Sequence, residues 1–208
     1  TQLGITVPAA PLLSAVAGGT LVNGNNYEVA YTYRNSSLAQ ESSVSVVDTQ
    51  VVAGANLTVR VPIIASTDPQ VDQVRIYARD ITAGETVLRL TATYANTTTN
   101  RDITSNNWDG ADEGPDDRDV AVAMSFGVVW KNRWWGRDAT VKNRLRFSQI
   151  FLNMAWPSTF FVDIPIDKGE DITAIIPLGD VLVVFGFTSF FLIIGQTSLD
   201  FEVRPALG

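Results

Sequence analysis

The sequence predicts an all-β protein, and three observations carry that prediction. Apolar and polar residues alternate with a period of two through the N-terminal half. Clusters of Gly, Asn, Ser and Pro interrupt the alternation at short intervals, and no segment keeps the 3.6-residue period of an amphipathic helix.

The first strand-like stretch, "YEVAYTYR", sets Tyr27, Val29, Tyr31 and Tyr33 against Glu28, Ala30, Thr32 and Arg34. "NLTVRV" then puts Leu57, Val59 and Val61 on one face and Thr58 and Arg60 on the other. "VRIYAR" and "TVLRLTATY" alternate likewise, the second turning Leu88, Leu90, Ala92 and Tyr94 inward. Turn clusters at Gly18-Gly19, Asn23 to Asn26, Asn35 to Ser37, Ala53 to Asn56 and Asp68-Pro69 separate them. Short strands with such punctuation predict a β-sandwich over residues 8–105.

Residues 106–119, "NNWDGADEGPDDRD", change texture. They carry Asp109, Asp112, Glu113, Asp116, Asp117 and Asp119 with two glycines and a proline, and they read as a solvated acidic linker. Clustered carboxylates are also ligands for a hard cation, but their spacing does not match an EF-hand loop.

Residues 120–208 turn longer, more aromatic and more apolar. "AVAMSFGVVW", "RWWGRD", "NRLRFSQ", "TFFVDIP", "DITAIIP", "VLVVFGF", "SFFLIIG" and "DFEVRP" are strand-like and follow one another through tight turns. Continuous apolar runs such as Val181 to Phe185 imply strands covered on both faces, as stacked four-stranded sheets would cover them. The run from Val181 to Gly195 is short for a bilayer-crossing helix and is broken by Gly186 and Thr188-Ser189, so no membrane partner is expected.

Composition removes several chemistries. The 208 residues are 46% hydrophobic and 18% charged, with a net charge of −7. There is no cysteine and no histidine. Disulfides, thiolate nucleophiles, Cys/His zinc sites and His-based triads are therefore excluded. Asp163 with Asp167, or Glu170 with Asp171, are the carboxylate pairs a glycosidase could use, yet nothing in the sequence sets either pair in a pocket. Turn and strand-end aspartates commonly satisfy backbone amides. Neither an enzyme nor a cofactor is expected. The sequons at Asn35, Asn56 and Asn96 are what an Asn-, Ser- and Thr-rich chain produces by chance.

"VVWKNRWWGRD", Val128 to Asp138, packs Trp130, Trp134 and Trp135 among Lys131, Arg133 and Arg137. With Lys142, Arg144 and Arg146 these cations form six of the fifteen basic residues. Bases stack on rings while cations track phosphates, so the cluster could face DNA or a neighbouring subunit. The other reading has Asn132 and Arg133 turn a hairpin, with Trp130, Trp134, Trp135 and Trp156 packing between sheets. The cations would then snorkel or pair with the acidic segment upstream. The acidic net charge favours this second reading.

The same region carries an ordered set of motifs: Asn132-Arg133-Trp134-Trp135, Arg146-Phe147-Ser148, Trp156-Pro157 and Phe161-Val162-Asp163-Ile164-Pro165. Asp171 to Asp180 ("DITAIIPLGD"), Val183-Val184-Phe185 and Ser189 to Gly195 follow. In this order the segment from Phe126 to Arg204 resembles the repeating blade of β-propeller-like proteins of tailed-phage particles. The N-terminal half looks like the fibronectin-III-like sandwich that often precedes such blades.

The resemblance implies an all-β chain: a fibronectin-III-like sandwich, then a partial propeller of about two blades. It further implies a virion structural protein, of a tail nozzle, hub or neck ring, assembled in the bacterial host cytoplasm. Its partners would be copies of itself in a ring, often sixfold, and neighbouring virion proteins, with DNA passing but not specifically bound. A closed propeller has four to eight blades, so the chain is expected either to be a piece of a longer protein or to have its blades completed by neighbours. The missing initial methionine and the "RPALG" end point to the former. A surface-displayed module binding carbohydrate or a receptor through Asn-, Thr- and Ser-rich loops is the alternative.

Overall fold

The computed structural model describes residues 4–108, 112–116, 118, 120–152, 155–166 and 170–206. Among the described residues there is no helix, and every sheet pairing between strands is antiparallel. The chain forms two compact units, Ile5–Arg118 and a second beginning at Asp119.

The first unit is a two-sheet sandwich. Strands β1 (Ser14–Val16), β5 (Thr58–Ile63) and β8 (Thr99–Ile103) make a three-stranded sheet with β5 at its centre. The other sheet has the order β3 (Gln40–Glu41), β2 (Asn26–Asn35), β6 (Gln73–Asp80) and β7 (Arg89–Ala95), with β4 (Asp48–Val51) also pairing β2. Alternation decides what lies between the sheets. Tyr27, Val29, Tyr31 and Tyr33 of β2 meet Val59, Val61 and Ile63 of β5 in one buried cluster. Each such side chain contributes about 1.5–3 kcal/mol when taken from water. The Tyr33 hydroxyl donates to the Ile64 carbonyl at 2.7 Å, which satisfies the polar end of an otherwise apolar insertion.

Two expectations for this unit need correction. A register shift beside Ile76 pairs Ile76 with Ala92 but Tyr77 with Leu90. That bulge sends Leu90 to the opposite face from Ala92 and Tyr94, so strict alternation does not hold along β7. The acidic stretch is also tied to the sandwich where it is described, although Asp112, Glu113 and Asp116 stay exposed. Trp108 is buried in the sandwich core, edge-on to Tyr27 at 6.2 Å, and its indole donates to Glu85.

Residues 112–116 then run as a strap over the outer face of the larger sheet. Leu90 donates to the Asp112 carbonyl, Gly114 to the Leu88 carbonyl and Val44 to the Pro115 carbonyl. Gly114 lets the strap lie close, since a Cβ there would stand 3.0 Å from a Val44 methyl and 3.3 Å from the Leu88 Cβ. Asp109, Asp117 and Asp119 fall outside the described residues.

Beneath the strap sits a buried polar network. Glu41 accepts from Thr32 (2.6 Å) and Tyr77 (2.5 Å) and pairs with Arg75 at 2.9 Å. Arg75 reaches Asp112 on the strap at 2.6 Å. Burial, reinforced by Glu41, pushes the Tyr77 phenol well above its ordinary value, so it stays a donor.

The second unit is two four-stranded meanders. One has the order β12 (Phe161–Asp163), β11 (Arg144–Phe147), β10 (Arg133–Asp138), β9 (Met124–Trp130). The other runs β13 (Ala174–Leu178), β14 (Val181–Phe185), β15 (Phe190–Ile194), β16 (Glu202–Pro205). Every strand-like stretch read in the sequence from residue 121 onward overlaps one of these strands. The up-and-down order within each sheet is that of a propeller blade. The sheets share one core, built from Trp130, Trp135, Leu145 and Phe147 on the first side and Ile175, Leu182, Val184, Phe191 and Ile193 on the second.

Candidate functional site

The basic-aromatic hairpin lies at the heart of this second unit, and its turn differs from the expected one. Lys131 and Asn132 form the turn, both at positive φ (48° and 57°), between the paired residues Trp130 and Arg133. Two consecutive left-handed residues give the turn whose twist matches the flanking strands, and Asn tolerates that conformation well. Arg133 is therefore not a turn residue. It opens β10 and is buried.

Alternation along β10 then separates the tryptophans. Trp135 points into the core and is fully buried, stacked on Phe147 at 4.6 Å and edge-on to Phe201 at 4.9 Å. Trp130 joins it at 5.5 Å and donates to the Gly179 carbonyl of the facing sheet at 3.1 Å. Trp134, one residue from Trp135, must face the other way and is 40% exposed. Trp156 is buried outside that shared core, beside a groove of about 250 Å³ lined by Val120, Val122, Arg146, Trp156, Pro157, Ser158 and Phe160. Two of the four tryptophans expected between the sheets, Trp130 and Trp135, are in that cluster.

The six cations are nearly all engaged within the unit. The Lys131 ammonium caps the Gly195 carbonyl and stands 4.7 Å from the Trp130 ring. Arg133 donates to the Ser148 carbonyl at 2.9 Å and lies over Phe147 and Phe160, each at 5.6 Å. Among the described residues no carboxylate reaches it, and burial pulls its pKa below the ordinary guanidinium value. Arg137 (3.2 Å) and Lys142 (3.4 Å) share Asp171. Arg144 grips Asp163 with two bonds of 2.7 and 2.9 Å and covers the Phe161 ring at 3.7 Å. Arg146 pairs with Asp138 at 2.7 Å.

The carboxylates considered for acid–base chemistry are tied down in the same way. Asp163 and Asp171 serve the arginines just named. Glu170 accepts from the Thr188 hydroxyl at 2.7 Å and the Phe187 amide at 3.3 Å, bracing the β14–β15 turn. Asp167 lies outside the described residues. Among the described residues no group of three or more acidic side chains is arranged to hold a metal ion. Among the described residues no helix is long and apolar enough to cross a membrane.

Within this unit Asp138 has a role that sequence reading missed. Its side chain is almost fully buried and accepts from Arg146 and from the amides of Thr140 and Val141, at 2.7, 2.8 and 3.0 Å. The only sequence signal was its place at the end of a strand before "ATV". Burial pushes its carboxyl up, but the Arg146 guanidinium and the two amides outweigh that and hold it below the usual range. A depressed folded pKa means stability that is present above the unfolded value of about 3.9 and lost as pH falls through the folded one. Asp138→Asn should therefore lower the stability of this unit by about 1–3 kcal/mol at neutral pH. Acid titration of unfolding should be shallower in the variant, read by urea melts between pH 7 and 3.

The reverse face of β13–β16 carries exposed apolar residues in the described unit. Alternation places Ile176, Leu178, Val183, Phe190 and Leu192 there, away from the shared core. Ile176 is 50%, Leu178 66% and Phe190 42% exposed, and Phe190 stacks on Phe185 at 6.1 Å across the strands. The continuous apolar runs implied two covered faces; on this side Val183 is buried as expected, while Ile176, Leu178 and Phe190 are open to water. Comparison with protein-family models, with curated proteins and with solved structures returned no match to this chain.

Proposed function

We propose that the chain is a structural subunit of a tailed bacteriophage particle, part of a tail nozzle, hub or neck ring around the DNA channel. It acts through protein–protein interfaces with like copies and with neighbouring virion proteins. The observation that carries this reading is the uncovered apolar face of β13–β16, with Ile176, Leu178 and Phe190 open to water. A chain that works alone in solution rarely keeps a sheet face and edge of that kind, because both invite association. The ordered motifs from Phe126 to Arg204 support the phage assignment.

The engagement of the basic cluster supports passage of DNA without grip. Cations already held by Asp138, Asp163 and Asp171 gain little by exchanging a carboxylate for a phosphate. The test is compositional. Purified particles of the phage that encodes the chain should contain it in a fixed stoichiometry, and antibody labelling should mark the neck or tail in electron micrographs. Particles that lack the chain, or label on the capsid alone, would overturn the assignment.

A further inference from the structure

We infer that the exposed face of β13–β16 takes the exposed face of β9–β12 of a second copy, so that the sheet-on-sheet stacking within one chain continues head to tail between chains. This rests on the proposed ring-subunit reading and names the surfaces that build the ring.

The register of the two sheets carries the inference. Each opens with a strand pair closed by a two-residue turn, Lys131-Asn132 between Trp130 and Arg133, and Gly179-Asp180 between Leu178 and Val181. Matching the turns puts Trp130 on Leu178 and Trp135 on Val183. Trp135 pairs across to Phe147 and Val183 to Leu192, which extends the match to the third strand. In the first sheet these positions are buried, because the second sheet lies on them. In the second sheet the same positions form the outer face.

The match also runs in the other direction. Trp134 falls on Leu182 and Arg146 on Phe191, which are buried in the second sheet but lie on the outer face of the first. Each sheet thus turns outward the face that its counterpart packs inward; on the second sheet's outer face Leu178 is exposed, Leu192 half-buried and Val183 buried. The first strands of the two sheets, β9 and β13, also approach each other, as the inner strands of neighbouring blades do.

The two exposed faces suit one another in chemistry. The β14 and β15 stretches contain no charged residue, and the two charges that β16 brings to this face, Glu202 and Arg204, pair with each other at 2.8 Å. The receiving face offers exposed Val129, Trp134 and Phe161, with Arg144 and Arg146 beside them already neutralised by Asp163 and Asp138. Size matters as well. Four strands of five residues make a plate of roughly 300 Å² in projection, below the ~800 Å² per partner of a standard interface. One contact is weak, but a ring gives every copy two. Closed rings should therefore accumulate without much dimer.

The test uses the full chain, which has no native cysteine. Within one chain the Trp130 end of the first sheet meets Gly179 of the second. The equivalent meeting between copies is Leu178 with Lys131. Leu178→Cys and Lys131→Cys variants, mixed and oxidised, should give a disulfide-linked pair, while neither cross-links alone. The double variant should give a ladder that ends at the ring's copy number.

Ile176→Asp should raise the midpoint concentration for assembly at least about tenfold in sedimentation, with thermal stability unchanged. An assembly that forms no mixed disulfide, or in which Leu178→Cys cross-links to itself, overturns the head-to-tail arrangement and leaves the ring-subunit reading standing. A single-copy mass at every concentration overturns both.

Discussion

Trp135→Ala is expected to lower the stability of the second unit by about 3–5 kcal/mol, the cost of removing the largest fully buried side chain in its core. Its ring is held by Phe147, Trp130 and Phe201, so no single neighbour can collapse into the space it leaves. For a unit of this size each 1 kcal/mol moves the melting midpoint by roughly 4–8 °C. The corresponding transition in a thermal melt should fall by more than ten degrees or vanish.

Trp134→Ala, one position away, should stay within about 1 kcal/mol of the parent, since half-exposed residues outside the core contribute little. Among the described residues the Trp135 indole N–H finds no acceptor. Trp135→Phe should accordingly cost less than its loss of volume alone suggests, because it removes a buried unsatisfied donor. Thermal melts of the three variants would check the order.

Arg75→Met should be as damaging to the first unit, at about 3–5 kcal/mol. The substitution keeps the length of the side chain but leaves Glu41 buried beneath the strap without its cation, and it frees Asp112 from the sheet. Tyr77 and Thr32 would still donate to Glu41. The loss should therefore appear first as release of residues 112–116, seen as faster amide exchange at Leu90 and Val44, the donors to that strap. Arg75→Met combined with Glu41→Leu should be more stable than Arg75→Met alone, because the unpaired charge goes with its partner. A double-mutant cycle in urea would measure the difference.

Strand existence was legible along most of the chain because it depends on neighbours two positions apart. The alternation in "YEVAYTYR" names the buried face of β2, and the apolar blocks of the C-terminal region name β13 to β15. The bulge beside Ile76 was not legible, since it arises from how β7 is held on β6 rather than from its own pattern. The strap was misread for the opposite reason. Its acidic, glycine-rich composition is what a solvated linker has, and only the edge of β7 and the cation of Arg75 make it a cover.

At the candidate site the sequence alone determined the all-β class, the order of the strands, the absence of thiol and imidazole chemistry, and the grouping of tryptophans with cations. Those features follow from local pattern and composition. Only the tertiary structure decided which way each member of that group points. Successive residues on a strand face opposite sides, so Trp135 entered the core while Trp134 stayed outside. Carboxylates distant in sequence, Asp163 and Asp171, came within reach of Arg144 and Arg137 only once the meanders had formed. Across β13 to β15 both faces are apolar in the sequence, and what separates them is that a second sheet lies against one of them.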